Sequence, residues 1–190
     1  MSEPDDLLLR RMRRGDDAAF DCLFLRYYEQ VYRVAHGLVG RREEAEDLAQ
    51  ETFLEMYRHP PEVRDGSTLL SWLCRVALNR GYNTLRGERR ERLRLERIDS
   101  PAEPVDPQAV LLRAEENARV RDALAQLPER QHRLLVLRYA GLSYGEVAAV
   151  LEVAPGSVGT MLVRAERAFM EAYKNAEMVE RQAALERTKP

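Results

Sequence analysis

Helical periodicity, with nothing competing against it, is the feature that most constrains this chain. Over residues 19–39, Phe20, Leu23, Phe24, Tyr27, Val31 and Val34 recur at three- and four-residue steps, forming the stripe of one long amphipathic helix. Gly40 ends that run, because glycine readily takes the left-handed conformation in which helices stop. Residues 45–58, AEDLAQETFLEMYR, carry a second helix with Ala45, Leu48, Ala49, Thr52 and Met56 on its apolar side. No alternating pattern of useful strand length appears anywhere. The expected class is all-α.

Punctuation divides the helices into units. HPPEVRDGS, from His59, reads as a loop, with two prolines and then Asp65-Gly66 as a turn signal. Ser67 can cap the next helix, which runs through Leu69, Trp72, Leu73, Val76 and Ala77 to about Arg90. Trp72 falls on the apolar face and reads as core. IDSPAEPVDPQ, from Ile98, holds three prolines and three acids with few large apolar residues, the composition of an extended linker. The expected architecture is two small helical domains, at residues 10–95 and 113–176, joined by a flexible linker at 96–112. Residues 177–190 read as a fraying tail.

Charge and cysteine content narrow the class. The net charge of −2 excludes a polycation that coats nucleic acid by bulk attraction, so any DNA contact must be local or assisted. The longest apolar runs, such as LLVL from Leu134, are too short to span a bilayer, and the N-terminal run lacks the apolar core of a signal peptide. A cytoplasmic protein without membrane insertion is expected. Cys22 and Cys74 both sit in apolar helical patterns and read as two buried thiols rather than a disulfide. His36, His59 and His132 are scattered, so no metal or other cofactor is expected. Catalysis is not expected either. Glu43, Glu44, Glu46 and Asp47 lack the Glu-x-x-His partners of a di-metal bundle, and no phosphate-binding G-x-x-x-x-G-K loop is present.

Three polar constellations remain. On the helix at 45–58, Asp47, Gln50, Glu51 and Leu54 fall at i, i+3, i+4 and i+7, an outward ridge that core packing does not require. The helix from Trp72 carries Arg75, Asn79, Arg80, Tyr82, Asn83 and Arg86, with Arg89, Arg90, Arg92, Arg94 and Arg97 beyond them. Asparagines pair with base edges, an aromatic ring stacks on an unpaired base and arginines hold phosphates, a combination suited to single-stranded or melting DNA. From Glu129 the chain reads as three short helices. Gly141 stops the first, and Ser143 with Glu146 forms a capping box that starts the second. Pro155 suits the first turn of the third.

The offsets of Ala148 and Val158 match a helix-turn-helix, within a winged-helix-like domain of three to four helices. Ser157, Gly159, Thr160, Arg164 and Arg167 are then the candidates for duplex contact. Glu152 stands where the turn ordinarily takes a glycine, at a cost on the order of 1 kcal/mol. Acidic and basic residues balance across this unit, so alone it should bind DNA weakly and wants a carrier. A stand-alone helix-turn-helix regulator is the alternative these features leave open; it calls for a dimer and a more basic third helix.

Together, AEDLAQETFLEMYR, SWLCRVALNRGYNTLR and LPERQHRLLVLRYAGLSYGEVAAVLEVAPGSV resemble the successive blocks of an extracytoplasmic-function (ECF) bacterial sigma factor, over residues 18–169. The resemblance implies that Asp47, Gln50, Glu51 and Leu54 dock on the clamp helices of the largest subunit of core RNA polymerase. It implies that the first domain opens the promoter −10 element, flipping a base into a pocket at residues 59–69, while Arg75, Asn79, Arg80, Tyr82, Asn83 and Arg86 hold the strand. The second domain would read the −35 element as duplex, and an anti-sigma factor would hold the free protein. The chain departs from the family pattern at Asn83, usually an acid, at Gly159 and Met161, usually lysine and arginine, and at Glu152.

Overall fold

The computed structural model describes residues 3–62, 68–95 and 108–187, and all regular structure among them is helical. The first unit contains α1 (Asp5–Met12), α2 (Asp17–Val39), α3 (Arg42–Arg58) and α4 (Leu69–Leu95). The second contains α5 (Gln108–Gln126), α6 (Glu129–Tyr139), α7 (Tyr144–Leu151), a 3-10 turn at Pro155–Ser157 and α8 (Val158–Arg187).

Local chemistry sets most of these boundaries. Asp16 caps α2 by accepting from the Ala18 amide, and Gly40 ends it at φ 71°. Ser67 lies outside the described residues; the Thr68 hydroxyl accepts from the Ser71 amide at 3.1 Å and starts α4. The expected capping box is present: the Ser143 amide donates to the Glu146 carboxylate at 2.7 Å, and the Glu146 amide to the Ser143 hydroxyl at 3.3 Å. Pro155 opens a 3-10 turn, and the α-helix proper begins three residues later at Val158.

In the first unit, α2 lies at the centre, packed by α1, α3 and α4. Leu8, Leu9 and Met12 of α1 are buried in the same core as Leu23, Val31 and Val34, the first two ahead of the boundary expected at residue 10. Trp72 packs half-buried against this core. Gly81 packs tightly: a Cβ there would collide with the Leu38 side chain and stand 2.9 Å from that of Leu48. Cys74 is buried as expected, but Cys22 is exposed. Position 22 lies off the stripe that Ala19 and Leu23 bury, about 100° around the helix from Leu23.

In the second unit α8 packs on α5 and α6, with α7 crossing. The backbone of α8 continues to Arg187, so residues 177–187 of the stretch read as a fraying tail are helical, and residues 188–190 lie outside the described residues. Most of the expected linker, residues 96–107, lies outside the described residues, and α5 begins at Gln108. The two units do not stand apart. α4 lies against α7, α2 lies against α6, and one continuous apolar cluster spans both. Gly37 admits the close approach, since its missing Cβ would stand 3.3 Å from Val136.

Candidate protein-docking and nucleic-acid interfaces

α3 separates its two faces cleanly. Ala45, Leu48, Ala49, Thr52, Phe53 and Met56 are buried. The one polar group among them, the Thr52 hydroxyl, donates to the Leu48 carbonyl at 2.7 Å, which removes the cost of burying it. Asp47, Gln50, Glu51 and Leu54 are all exposed, with Leu54 at 45 %. The expected ridge therefore exists as a continuous outward surface. Arg80 of α4 reaches across to it, pairing with Glu55 at 2.6 Å and Glu51 at 3.3 Å. The Arg80 hydrogen bond holds the Glu55 carboxyl below the usual carboxylate range.

The residues singled out on α4 divide three ways. Arg75, Asn79, Asn83 and Arg86 form one stripe, Asn79, Asn83 and Arg86 being exposed and Arg75 partly so. Arg80 is turned toward α3. Tyr82 is buried, with 7 % of its surface accessible, and faces α6 rather than open solvent. Its hydroxyl donates to the Glu129 carbonyl at 3.4 Å, the Arg133 guanidinium lies 4.7 Å from its ring centre, and His132 meets it edge to face at 5.7 Å. Burial raises the Tyr82 phenol above its ordinary value. The arginines beyond Gly87 lie outside the described side chains, as do residues 63–67 of the proposed base pocket.

The second unit meets the α4 stripe at three residues. Arg86 pairs with Glu129 at 2.6 Å, Arg133 donates to Asn79 Oδ1 at 3.3 Å, and Arg75 pairs with Glu152. Arg133 also pairs with Glu129 at 2.6 Å. Burial pulls the Glu129 carboxyl up, but Arg86 and Arg133 outweigh it and hold the group below its ordinary value. Burial pushes the His132 imidazole down to about 4, against the opposing attraction of Glu129. A cleft of about 600 Å³ remains along this seam, lined by Arg75, Asn79, Arg130, Arg133 and Glu152 among others. Sequence reasoning missed Glu129, His132 and Arg133. Glu152, at the glycine position, was the one available signal.

The helix-turn-helix geometry is present. Glu152 sits in the left-handed region at φ 55°, ψ 48°, and the following Val153 amide donates to the Ala148 carbonyl at 3.0 Å. Val158 is fully buried and locks the start of α8 onto α7. Thr160, Arg164 and Arg167 are exposed, and Ser157 and Gly159 are half-buried. The Ser157 hydroxyl donates to the Ala154 carbonyl at 2.7 Å. Gly159 lies against the Tyr144 ring, with room for a Cβ at 3.6 Å.

Among the described residues no group of three or more His, Cys, Asp or Glu could hold a metal ion, and no single helix is long and apolar enough to cross a membrane.

These features coincide with known families. Residues 23–91 match the model of Sigma-70 region 2, and residues 117–169 match Sigma-70, region 4. The RNA polymerase sigma-H factor of Pseudomonas aeruginosa is 34 % identical over 183 residues, covering 90 % of this chain and 95 % of the relative. The ECF RNA polymerase sigma-E factor of Escherichia coli K12 is 30 % identical over 176 residues, covering 87 % and 92 %. Among solved structures, CnrH in complex with the cytosolic domain of CnrY superposes with a TM-score of 0.63 at 23 % identity, over 90 % of this chain and 97 % of that one. The sigma factor RpoE in complex with the anti-sigma factor NepR, from Bartonella quintana, gives 0.56 at 24 %, over 82 % and 96 %. Matched at both regions and along nearly the whole length of its relatives, the chain belongs to the ECF family of RNA polymerase sigma factors, which direct promoter-specific transcription initiation.

Proposed function

We propose that the outer ridge of α3 docks on the clamp helices of the largest subunit of core RNA polymerase. The observation that carries this reading is the outward exposure of all four ridge residues, Asp47, Gln50, Glu51 and Leu54, on a helix whose other face is fully used by the core. Fixed carboxylates and an amide offer acceptors to a partner's arginines, and Leu54 adds apolar contact.

In the same reading, Arg75, Asn79, Asn83 and Arg86 of α4 hold the melted −10 strand, with Arg80 and Tyr82 joining once the α3 and α6 contacts release them. The start of α8, with Ser157, Gly159, Thr160, Arg164 and Arg167, enters the −35 duplex. The protein acts in the cytoplasm as a regulator rather than an enzyme. An anti-sigma factor holds it between rounds, a reading supported by the two solved relatives bound to CnrY and NepR.

The test is co-elution with purified bacterial core RNA polymerase on size exclusion, wild type against a Gln50→Ala, Glu51→Arg double variant. Wild type should co-elute and the folded double variant should not. A folded wild type that fails to co-elute would sink the docking assignment. For the inhibitor, a pull-down from the source cell should recover a partner besides polymerase subunits; polymerase alone would count against it.

A further inference from the structure

α1 lies ahead of the stretch that matches Sigma-70 region 2, which begins at residue 23. The helix is nevertheless part of the first unit, since Leu8, Leu9 and Met12 are buried in its core. Its C-terminal end makes a contact that core packing does not require. Arg13 caps α1, and its exposed side chain reaches the chain that leaves α3. There Nη2 donates to the Pro61 carbonyl at 2.8 Å and to the Pro60 carbonyl at 3.2 Å. One guanidinium nitrogen thus holds two successive backbone acceptors, 47 and 48 residues further along the chain.

Those acceptors are suited to being held. α3 ends at Arg58, and its cap residue His59 stands at φ −131°, outside the helical region. Proline fixes its own φ, lacks an amide hydrogen and keeps the preceding residue extended, so Pro60 and Pro61 form a stiff start to the loop. Fixing their two carbonyls therefore sets the direction in which the next residues leave. A second contact grips the same end of α3: the Tyr57 hydroxyl donates to Asp17, at the start of α2, at 3.1 Å, and the Tyr57 ring meets Phe20 edge to face at 5.3 Å. Close packing does not replace the Arg13 bonds. A space of about 170 Å³ lies between α1 and the loop, lined by Asp6, Leu9, Arg10, Arg13, Pro61 and Glu62.

We infer that Arg13 is a positioning residue for −10 recognition: by holding Pro60 and Pro61 it sets the course of the loop after α3, and with it the base preference at the −10 element. The inference rests on the reading of that loop as the pocket for the flipped base. Arg13 itself touches no base; it acts through the backbone of the loop's first residues. Its bonds are exposed, so they contribute little to stability, and losing them frees the loop without unfolding the unit.

The experiment uses holoenzyme reconstituted from the full chain and purified core RNA polymerase. The templates derive from one promoter mapped with the wild-type holoenzyme, its −10 element randomised and each version barcoded in the transcript. Barcode counts then give the preference for each base at each −10 position. Arg13→Ala is compared with Arg14→Ala, an exposed neighbour with the same loss of charge, and with Arg13→Lys. A further variant replaces residues 63–67 with glycine and serine and tests the loop itself.

Arg13→Ala should melt within about 2 °C of Arg14→Ala and co-elute with core polymerase as wild type does. Its preference for the best base over the next at the flipped position should fall about fivefold to tenfold, the loss of roughly one hydrogen bond. Lysine, a point charge on a flexible stem, should restore only part of that preference. An unchanged preference in Arg13→Ala beside a changed one in the loop variant would overturn the positioning role and leave the loop reading standing. An unchanged preference in the loop variant would retire the loop reading, and the positioning role with it. A uniform drop in transcription from every template, with base preference intact, would also overturn the inference and make Arg13 a structural residue only.

Discussion

α3 and α4 are built by the same rule and end in opposite circumstances. Each buries an apolar face in the first unit and carries a polar face at helical spacing. On α3 that face is exposed at Asp47, Gln50, Glu51 and Leu54, with Glu51 reached by Arg80 of the same unit. On α4 the corresponding residues are engaged: Arg75, Asn79 and Arg86 by the second unit and Arg80 by α3. Amphipathic spacing thus says that a face points away from its own core. It does not say whether another part of the same chain already pairs with it.

The sharpest way to break the comparison is within α3, at two adjacent residues. Phe53 is 1 % exposed and rests 4.8 Å from the Phe24 ring, whereas Leu54 points out. Phe53→Ala should cost about 3–5 kcal/mol of stability in urea denaturation. Leu54→Ala should stay within about 0.5 kcal/mol while weakening polymerase binding. Equal stability losses would mean that the outer face of α3 is not a free surface.

Acid tests the covered side. His132 titrates at about 4 when folded and near 6.5 when unfolded, so the unfolded chain binds its proton first as pH falls. The stability His132 contributes is full above pH 6.5 and is lost as pH falls through 4. The loss amounts to at most about 3 kcal/mol. Glu129 acts in the same direction, because its lowered carboxyl also loses its pairing on protonation. Wild type should therefore unfold more readily at pH 4.5 than at pH 7, and His132→Leu should flatten that dependence. An unchanged pH profile would place the imidazole in contact with water.

A smaller effect is expected on the inner face of α4. Gly81→Ala places a Cβ in conflict with Leu38 and Leu48 and should cost about 1–3 kcal/mol. Gly87→Ala meets nothing within 4 Å and should be neutral or slightly stabilising. Thermal melts of the pair will show whether α4 is seated as tightly as α3. Smallest of all, Glu152→Gly should raise the melting temperature of the second unit by the equivalent of about 1 kcal/mol, through relief of the left-handed turn. A drop instead would mean that the Arg75 pair outweighs the strain.

Most helices could be read from the chain because their signals are local. Gly40, Gly141 and the Ser143–Glu146 box each act within a few residues, and each sits where the periodicity places it. The α3 ridge was legible for the same reason, since one helix fixes all four positions. Tyr82 was not. Its burial depends on Glu129, His132 and Arg133, which approach α4 only through the folding of a unit some fifty residues away. Charge balance concealed the same contact: the acids that cancel the second unit's arginines in composition are in part directed at the first unit's arginines in space. Cys22 was misplaced on a simpler ground. An apolar neighbourhood in sequence spans all sides of a helix, and only one side is buried.

The length of α8 has a consequence for observing any of this. Thirty residues at about 1.5 Å each make a rod of roughly 45 Å, rooted at the turn that Glu152 occupies. A rotation of the second unit by about 10° around that root would carry the Arg187 end through roughly 8 Å, by the same rise per residue. The molecule thus has its own lever arm. A reporter placed near residue 187 will magnify angular changes that side chains at the seam register only as fractions of an ångström.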